Sequence, residues 1–184
     1  MNLPNKLTIL RIMLVPLLLV MLYNMDKTGE KPVLAIISAV LFLLISFTDL
    51  LDGMIARKYN LVTDFGKFLD PLADKILVIS TMIAFIDMGY ISSLAVIIII
   101  IREFLVTSLR LVAASGNLVI AASKLGKLKT VIQIIVLTLL FFNPWIEQVK
   151  FIPLNAILVW VMVAITIISG ADYLIKNKHV IKSK

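Results

Sequence analysis

Six apolar stretches, each about as long as a helix that crosses a membrane, run along this sequence from end to end. They cover residues 7–25, 33–56, 70–89, 91–114, 128–143 and 152–175. An α-helix of about 20 residues crosses a hydrocarbon core about 30 Å thick, so length alone predicts six transmembrane helices. The fifth stretch is short and could extend back to Leu125. The sequence therefore predicts an all-α integral membrane protein, a six-transmembrane-helix bundle that forms a single domain over residues 1–184.

The composition excludes an ordinary soluble domain. Apolar residues make up 61% of the chain, whereas soluble domains contain about 45–50%. The formal net charge is +7, but a chain this apolar has no surface for reading nucleic acid, so anionic membrane lipids are the expected partners. Cysteine is absent and the single histidine, His179, lies in the C-terminal tail. Any chemistry must therefore rest on carboxylates, lysines, arginines and hydroxyls.

The distribution of basic residues predicts the orientation of the chain. Most of them fall at the N-terminus, in the second and fourth connections and in the tail: Lys6, Arg11, Arg57, Lys58, Lys67, Lys124, Lys127, Lys129, Lys176, Lys178, Lys182 and Lys184. The opposite side carries Lys27, Lys31 and Lys150. By the positive-inside rule both termini of this multi-pass membrane protein are cytoplasmic. Because Arg11 interrupts the first stretch and no small-residue cleavage site follows it, we expect a retained helix rather than a signal peptide.

Several ionisable residues lie where a bilayer should reject them: Asp49, Asp52, Asp70, Asp74, Lys75, Arg102, Glu103, Arg110 and Asp172. A charge at the bilayer centre costs roughly 2.5–3.5 kcal/mol, so such residues face the bundle interior, pair with one another or mark a functional site. Structural pairs of Lys75 with Asp74 and of Arg102 with Glu103 would explain part of this set. They leave most of the four aspartates unexplained, because the other nearby cations can reach water.

The spacing of the four aspartates predicts a metal site. Asp49 and Asp52 are three residues apart at the cytoplasmic end of the second stretch, and Asp70 and Asp74 are four apart at the start of the third. Each pair therefore projects from one helix face. A short connection makes the two helix ends neighbours, so the carboxylates can converge on one point. Four carboxylates form an all-oxygen site suited to Mg²⁺ or Mn²⁺, and two divalent ions would balance their charge.

Glycines flank both acidic pairs. Gly53 is four residues after Asp49, and Gly66 is four before Asp70. Glycine in a membrane helix is often only a close-packing contact. Beside these carboxylates the two glycines also indicate cleared space for a phosphate-bearing ligand. Arg57, one turn beyond Gly53, is positioned to bind a phosphate through two hydrogen bonds.

The whole segment reads Asp49-x-x-Asp52-Gly53-x-x-Ala56-Arg57, eight residues, then Gly66-x-x-x-Asp70-x-x-x-Asp74. It matches without gap or substitution the signature of the CDP-alcohol phosphatidyltransferase family, which the chain resembles over nearly its full length. Residues 2–8 with Arg11, 64–75, 102–104 and 122–127 are similar to the branch of the family that makes phosphatidylglycerophosphate.

The resemblance implies the chemistry of the acidic cluster. Two divalent ions, Mg²⁺ or Mn²⁺, would be held by Asp49, Asp52, Asp70 and Asp74. Asp74 would be the general base that takes a proton from the acceptor hydroxyl, which attacks the β-phosphorus of CDP-diacylglycerol and releases CMP. The resemblance alone also implies a homodimer, and it implies a bacterial-type plasma membrane with the active site facing the cytoplasm.

The same resemblance implies the donor site. The cytidine and pyrophosphate of CDP-diacylglycerol would lie over Gly53, Ala56 and Gly66. Further donor contacts are implied by position for Arg57, Thr63, Asn5 and Thr8.

Cationic residues near the cytoplasmic end of the fourth stretch indicate an acceptor that itself carries a phosphate. Arg110 lies one turn before that end, and Lys124, Lys127 and Lys129 follow in the next connection. Positive-inside bias alone would also explain cytoplasmic lysines, most of all Lys129. Basic residues do not distinguish glycerol 3-phosphate from inositol phosphate, so the choice of glycerol 3-phosphate rests on the branch resemblance.

The sequence leaves the role of Asp172 and two other classes of protein open. Asp172, near the end of the last stretch, could pair with Arg110 or with a lysine. An ion channel or transporter could use the aspartates as a cation pathway, although it predicts carboxylates scattered near the middle of the membrane. A non-catalytic scaffold would tolerate asparagine at all four positions.

Overall fold

A computed structural model describes residues 3–25, 31–58, 64–116, 118, 120, 123–146 and 153–178, with the side chains of residues 3–5, 49–71 and 115 excepted. The regular structure in this part of the chain is helical, without strands. The helices are α1 (Leu3–Tyr23), α2 (Pro32–Lys58), α3 (Asp64–Asp87), α4 (Ser93–Ser115), α5 (Lys124–Leu140), α6 (Asn143–Ile146) and α7 (Leu154–Lys176). The prediction of an all-α fold is confirmed for these residues.

Each predicted apolar stretch coincides with one long helix, and the ends differ by a few residues. The third helix begins at Asp64 rather than residue 70, and the fifth begins at Lys124, in line with the expected extension back to Leu125. The fifth helix ends at Leu140, and the short helix α6 occupies the segment that the sequence assigned to the end of that stretch and to a turn.

Two of the described helices are long and apolar enough to cross a membrane by length and composition, over Lys6–Tyr23 and Leu154–Lys176. A third apolar segment, Pro32–Thr48, is shorter. Helix α4 is long enough, but it carries Arg102, Glu103 and Arg110. Helix α5 has 17 residues.

Helices α3 and α4 are joined by a tight turn built around one glycine. Gly89 has a φ of 77°, a left-handed conformation that glycine adopts without steric cost at the end of a helix. The Gly89 and Tyr90 amides donate to carbonyl oxygens of the last turn of α3, each at 2.9 Å. Ser92 then begins α4, since its hydroxyl accepts a hydrogen bond from the amide of Ala95 at 3.3 Å. The two helices are therefore held as neighbours.

The helices pack in two groups of three that share one apolar core. Helix α1 contacts α2 and α3, whereas α7 contacts α4 and α5, and the groups meet where α3 contacts α4 and α5 and where α2 contacts α5. Three phenylalanines join the groups: the ring of Phe141 lies 5.7 Å from that of Phe42 and 5.1 Å from that of Phe85. All three are fully buried.

Polar side chains lie inside the bundle while large apolar side chains cover its outside. The buried polar residues include Arg11, Lys129 and Gln133. The exposed apolar residues come from every long helix and include Leu17, Ile36, Ile83, Leu105, Ile135 and Ile168. A continuous apolar exterior is unfavourable in water and is typical of a surface in contact with lipid.

Candidate functional site

The acidic residues of the sequence motif lie on two contacting helices, at similar distances from the connection that joins them. Asp49 and Asp52 lie nine and six residues before the end of α2, and Asp70 and Asp74 lie six and ten residues after the start of α3. The helices contact each other and are consecutive, with residues 59–63 between them. At a rise of about 1.5 Å per residue, each pair lies about 9–15 Å from the connection. Helices joined by so short a segment run antiparallel, which brings the four backbone positions to the same end of the bundle.

Apart from that of Asp74, the side chains of the motif lie outside the described residues. This applies to Asp49, Asp52 and Asp70 and to the expected donor contacts Asn5, Gly53, Ala56, Arg57, Thr63 and Gly66. Among the side chains that are described, no three potential metal ligands meet. The convergence of the four carboxylates therefore stays a prediction. The donor set fits a hard divalent cation, since it offers carboxylate oxygens and no sulfur or imidazole.

Asp74 is described, and it lines a cleft between four helices. Its side chain is half-buried, and the surrounding residues come from α2, α3, α4 and α5. The lining residues that carry the argument are Ser46, Asp74, Lys75, Glu103, Lys129 and Gln133. We refer to this space as the Asp74 cleft. It combines the expected general base with two lysines and a second carboxylate.

Glu103 links two cations across the wall of the cleft. Its Oε1 atom lies 2.6 Å from Nζ of Lys129 and 2.9 Å from Nη1 of Arg102. The pairing of Arg102 with Glu103 that the sequence indicated is thus present, with Lys129 as an additional partner. All three side chains are largely buried, with exposed fractions of 12%, 17% and 5% for Arg102, Glu103 and Lys129. Glu103 offsets part of the cost of burying the two cations, and the three groups together keep one net positive charge.

Helix α7 holds the far side of this network. Arg102 donates from Nη2 to the hydroxyl of Ser169 at 2.7 Å. Its side chain also crosses Gly170, where an added Cβ atom would lie 2.8 Å from Cγ of Arg102. The absence of a side chain at Gly170 therefore allows Arg102 to lie against α7. A continuous path of contacts runs from α7 through Arg102 and Glu103 to Lys129 in the cleft.

Sequence reasoning left Lys129 open, as part of a cationic cluster for the acceptor's phosphate or as a result of orientation bias, and did not predict its contact with Glu103. The buried positions of α5 are Lys129, Gln133, Val136, Leu137 and Leu140. They recur with the period of one helix face. The signal that could have identified Lys129 as a buried residue is its place at the start of this inward-facing helix face.

The expected acceptor residues lie at the same end of the bundle, outside the Asp74 cleft. Arg110 donates from Nε to the Tyr173 hydroxyl at 3.0 Å, and its guanidinium carbon lies 5.3 Å from the centre of the Tyr173 ring. Lys124 and Lys127 are exposed in the first turn of α5. None of the three is among the residues that line the cleft. They form a cationic rim, at the level where α4 ends and α5 begins.

Asp172 pairs with a lysine, one of the two possibilities that the sequence left open. Its Oδ1 atom lies 2.7 Å from Nζ of Lys176, one turn later on α7. Arg110 contacts the neighbouring Tyr173 instead. Asp172 therefore lies beside the rim, bonded within its own helix.

Helix α1 contributes buried polar residues to the same group of helices. Thr8, an expected donor contact, is fully buried, and Arg11 is 1% exposed. They share one face of α1 with the core residues Val15, Leu18 and Leu22. This face packs on α2 and α3, the helices that carry the acidic motif.

Comparison with known proteins gives a consistent result. The family model for CDP-alcohol phosphatidyltransferase matches residues 1–168. A Bacillus subtilis protein named CDP-diacylglycerol–glycerol-3-phosphate 3-phosphatidyltransferase is 46% identical over 190 aligned residues, which cover 99% of this chain and 98% of the relative. A Rickettsia typhi protein of the same name is 39% identical, with 94% of each chain covered. A Mycobacterium tuberculosis protein named probable phosphatidylglycerophosphate synthase is 37% identical, covering 94% of this chain and 79% of the relative.

Proposed function

The chain belongs to the CDP-alcohol phosphatidyltransferase family, and from this membership we propose that it transfers the phosphatidyl group of CDP-diacylglycerol to glycerol 3-phosphate. The products are phosphatidylglycerophosphate and CMP, in the synthesis of anionic phospholipids. The observation that carries the proposal is the 46% identity to the Bacillus subtilis enzyme over 99% of this chain. The alignment covers nearly the whole chain, so the acidic motif and all the helices lie within it.

The proposed setting is a multi-pass protein of the plasma membrane. Six helices cross the bilayer, both termini are cytoplasmic and the active site faces the cytoplasm. The apolar exterior and the inward-facing polar residues support a lipid environment, and the lysine and arginine distribution supports the orientation. The family resemblance supports a homodimer.

We propose that Asp49, Asp52, Asp70 and Asp74 hold two divalent ions, Mg²⁺ or Mn²⁺. Two observations support this. The four residues lie at similar distances from the connection between α2 and α3, and they offer only oxygen ligands. When bound, the ions neutralise the charge of the donor's pyrophosphate and of the departing CMP.

Asp74 is the proposed general base. The acceptor oxygen forms a bond to the β-phosphorus, the bond between that phosphorus and the CMP oxygen breaks, and the hydroxyl proton passes to the Asp74 carboxylate. The half-buried position of Asp74 on the wall of a cleft supports this role, because the base must contact the hydroxyl away from bulk water. Placement, rather than a high proton affinity, makes a metal-bound carboxylate effective.

The proposed donor contacts come from α1, α2, α3 and, in the case of Thr63, the connection before α3. Glycines and a small residue leave room for the nucleotide, while Arg57 binds the pyrophosphate through its guanidinium group. The full set is Asn5, Thr8, Gly53, Ala56, Arg57, Thr63 and Gly66.

The proposed binding residues for the acceptor's phosphate include those of the cationic rim, Arg110, Lys124 and Lys127. Two exposed lysines and an arginine attract a phosphate monoester by charge. They lie where α4 ends and α5 begins, at the end of the bundle that carries the acidic motif, and this position supports a role in acceptor binding.

The proposal is tested with purified protein, CDP-diacylglycerol and a panel of acceptors. Glycerol 3-phosphate, inositol phosphate, serine and choline are supplied separately, and released CMP is measured. We expect release with glycerol 3-phosphate and little with the others. Preferential release with another acceptor would assign the chain to a different branch, and a metal-dependent ion flux in proteoliposomes without CMP release would favour a transporter.

A further inference from the structure

We propose that Lys129 binds the phosphate group of the acceptor inside the Asp74 cleft, and that Arg102 and Glu103 fix its ammonium group in position. This rests on the proposed function, since it names a residue for glycerol 3-phosphate. The starting observation is that Lys129 is 4% exposed and lines the same cleft as Asp74. Orientation bias acts on lysines that reach the cytoplasm, and it does not account for one buried against the bundle interior.

The charge of the cleft wall fits a phosphate monoester. Lys75, Lys129 and Glu103 line the cleft, and Arg102 bonds to Glu103 from behind. With Asp74 assigned to the metal ions, three cations and one carboxylate leave two net positive charges. A phosphate monoester carries close to two negative charges at neutral pH. An ammonium group has three N–H donors, and in Lys129 one of them is used by Glu103.

The position of Lys129 suits the acceptor better than the donor. The proposed donor contacts belong to α1, α2, α3 and the connection before α3, whereas Lys129 is on α5 and reaches the cleft from another wall. In glycerol 3-phosphate the attacking hydroxyl and the phosphate lie at opposite ends of a three-carbon backbone. The hydroxyl must contact Asp74, so the phosphate must be bound by a different wall of the same cleft.

Helix α7 determines where the ammonium group lies, although it contributes no residue to this cleft in the described chain. A lysine side chain has considerable rotamer freedom, and here Glu103 restricts it through a contact of 2.6 Å. Glu103 is held by Arg102, which in turn bonds Ser169 and crosses Gly170. Ser169 and Gly170 are therefore positioning residues for Lys129.

The first test replaces Lys129 with methionine, which keeps the length of the side chain and removes the charge. A hydrogen bond to a charged group is worth about 1.5–3 kcal/mol, so the KM for glycerol 3-phosphate should rise about tenfold or more. The KM for CDP-diacylglycerol should stay within about twofold. Lys178→Met, at an exposed position beyond α7, should leave both values unchanged. Equal changes in both KM values, or none, would overturn the proposal.

A second variant guards against loss of folding when Glu103 keeps Arg102 as a partner but loses Lys129. Glu103→Gln with Lys129→Met removes both charges and keeps an oxygen for Arg102. We expect the same rise in the KM for glycerol 3-phosphate as in the single variant. A parental KM in the double variant would overturn the proposal, since it would show that Lys129 serves only to neutralise Glu103.

The third test changes a residue of α7. In Gly170→Ala the new methyl group displaces Arg102, so the KM for glycerol 3-phosphate should rise about threefold or more while that for CDP-diacylglycerol is unchanged. Gly116→Ala is the control, because its Cβ would meet a backbone oxygen at an ordinary 3.5 Å. An unchanged acceptor KM in Gly170→Ala would overturn the positioning role. If the parent releases no CMP with glycerol 3-phosphate, the proposed function fails first; if it does and Lys129→Met is unaltered, only this inference fails.

Discussion

Arg110 on α4 and Tyr173 on α7 are joined by a hydrogen bond of 3.0 Å from Nε to the phenolic oxygen, with the guanidinium also 5.3 Å from the ring centre. Tyr173 is 2% exposed, whereas Arg110 is exposed. A buried aromatic ring thus fixes the direction of a surface arginine. This arrangement orients the guanidinium at the cationic rim, where an anionic acceptor would arrive.

Arg110→Ala should weaken the binding of glycerol 3-phosphate more than that of CDP-diacylglycerol. Loss of one charge-assisted contact, about 1.5–3 kcal/mol, corresponds to a rise of about tenfold or more in the acceptor KM. Tyr173→Phe keeps the ring and removes the hydrogen bond, so a smaller rise is expected. Steady-state kinetics with each substrate varied in turn measure both effects. Equal effects of Arg110→Ala on the two substrates would remove Arg110 from the acceptor site.

Asp74→Asn should abolish transfer while the protein stays folded. An amide has nearly the same shape but does not accept the hydroxyl proton, and a general base contributes about 10²–10⁴-fold to the rate. CMP release measures the effect, and the melting temperature in detergent reports folding. Activity within about tenfold of the parent would refute the assignment of Asp74 as the base.

Removal of divalent ions should stop turnover reversibly. Because four carboxylates at one end of two helices repel one another without counter-ions, a chelator such as EDTA should abolish CMP release. Addition of excess Mg²⁺ or Mn²⁺ should restore it. Full activity after exhaustive chelation, verified by metal analysis, would contradict a metal-dependent reaction.

Phe141→Ala should destabilise the bundle, because the Phe141 ring contacts both Phe42 and Phe85 and joins the two groups of helices. Deletion of a buried phenylalanine ring costs about 3–5 kcal/mol, which lowers the melting temperature in detergent. Phe104→Ala is the matched control, since Phe104 is 55% exposed. Equal shifts for the two variants would show that Phe141 is not part of a shared core.

The transmembrane arrangement can be tested with single cysteines, because the natural chain has none. Lys31→Cys, before α2, should react with a membrane-impermeant maleimide in intact cells. Lys178→Cys, after α7, should react only after the cells are permeabilised. Labelling of both positions in intact cells would contradict six crossings with cytoplasmic termini.

Helix positions followed from the sequence, since each long apolar stretch can satisfy its backbone hydrogen bonds in lipid only as a helix. The side-chain pairs between helices did not follow. The contact of Lys129 with Glu103 depends on the rotation of α5 against α4, and apolar residues on several faces of such helices leave that rotation poorly defined. Arg102 was paired correctly with its sequence neighbour Glu103, but its contact with Ser169 spans 67 residues. The motif identified Asp74 from the sequence. The contacts among Lys129, Glu103 and Arg102 could be identified only from the fold.

The most direct measurement of the central claim is the number of Mn²⁺ ions bound per chain at equilibrium, with CDP-diacylglycerol present. If the aspartates of α2 and α3 form one site, the parent should bind two ions. A variant with Asp49→Asn and Asp70→Asn, which takes one ligand from each helix, should lose most of this binding while it remains folded. No bound Mn²⁺ in the parent, or unchanged binding in the variant, would contradict the account.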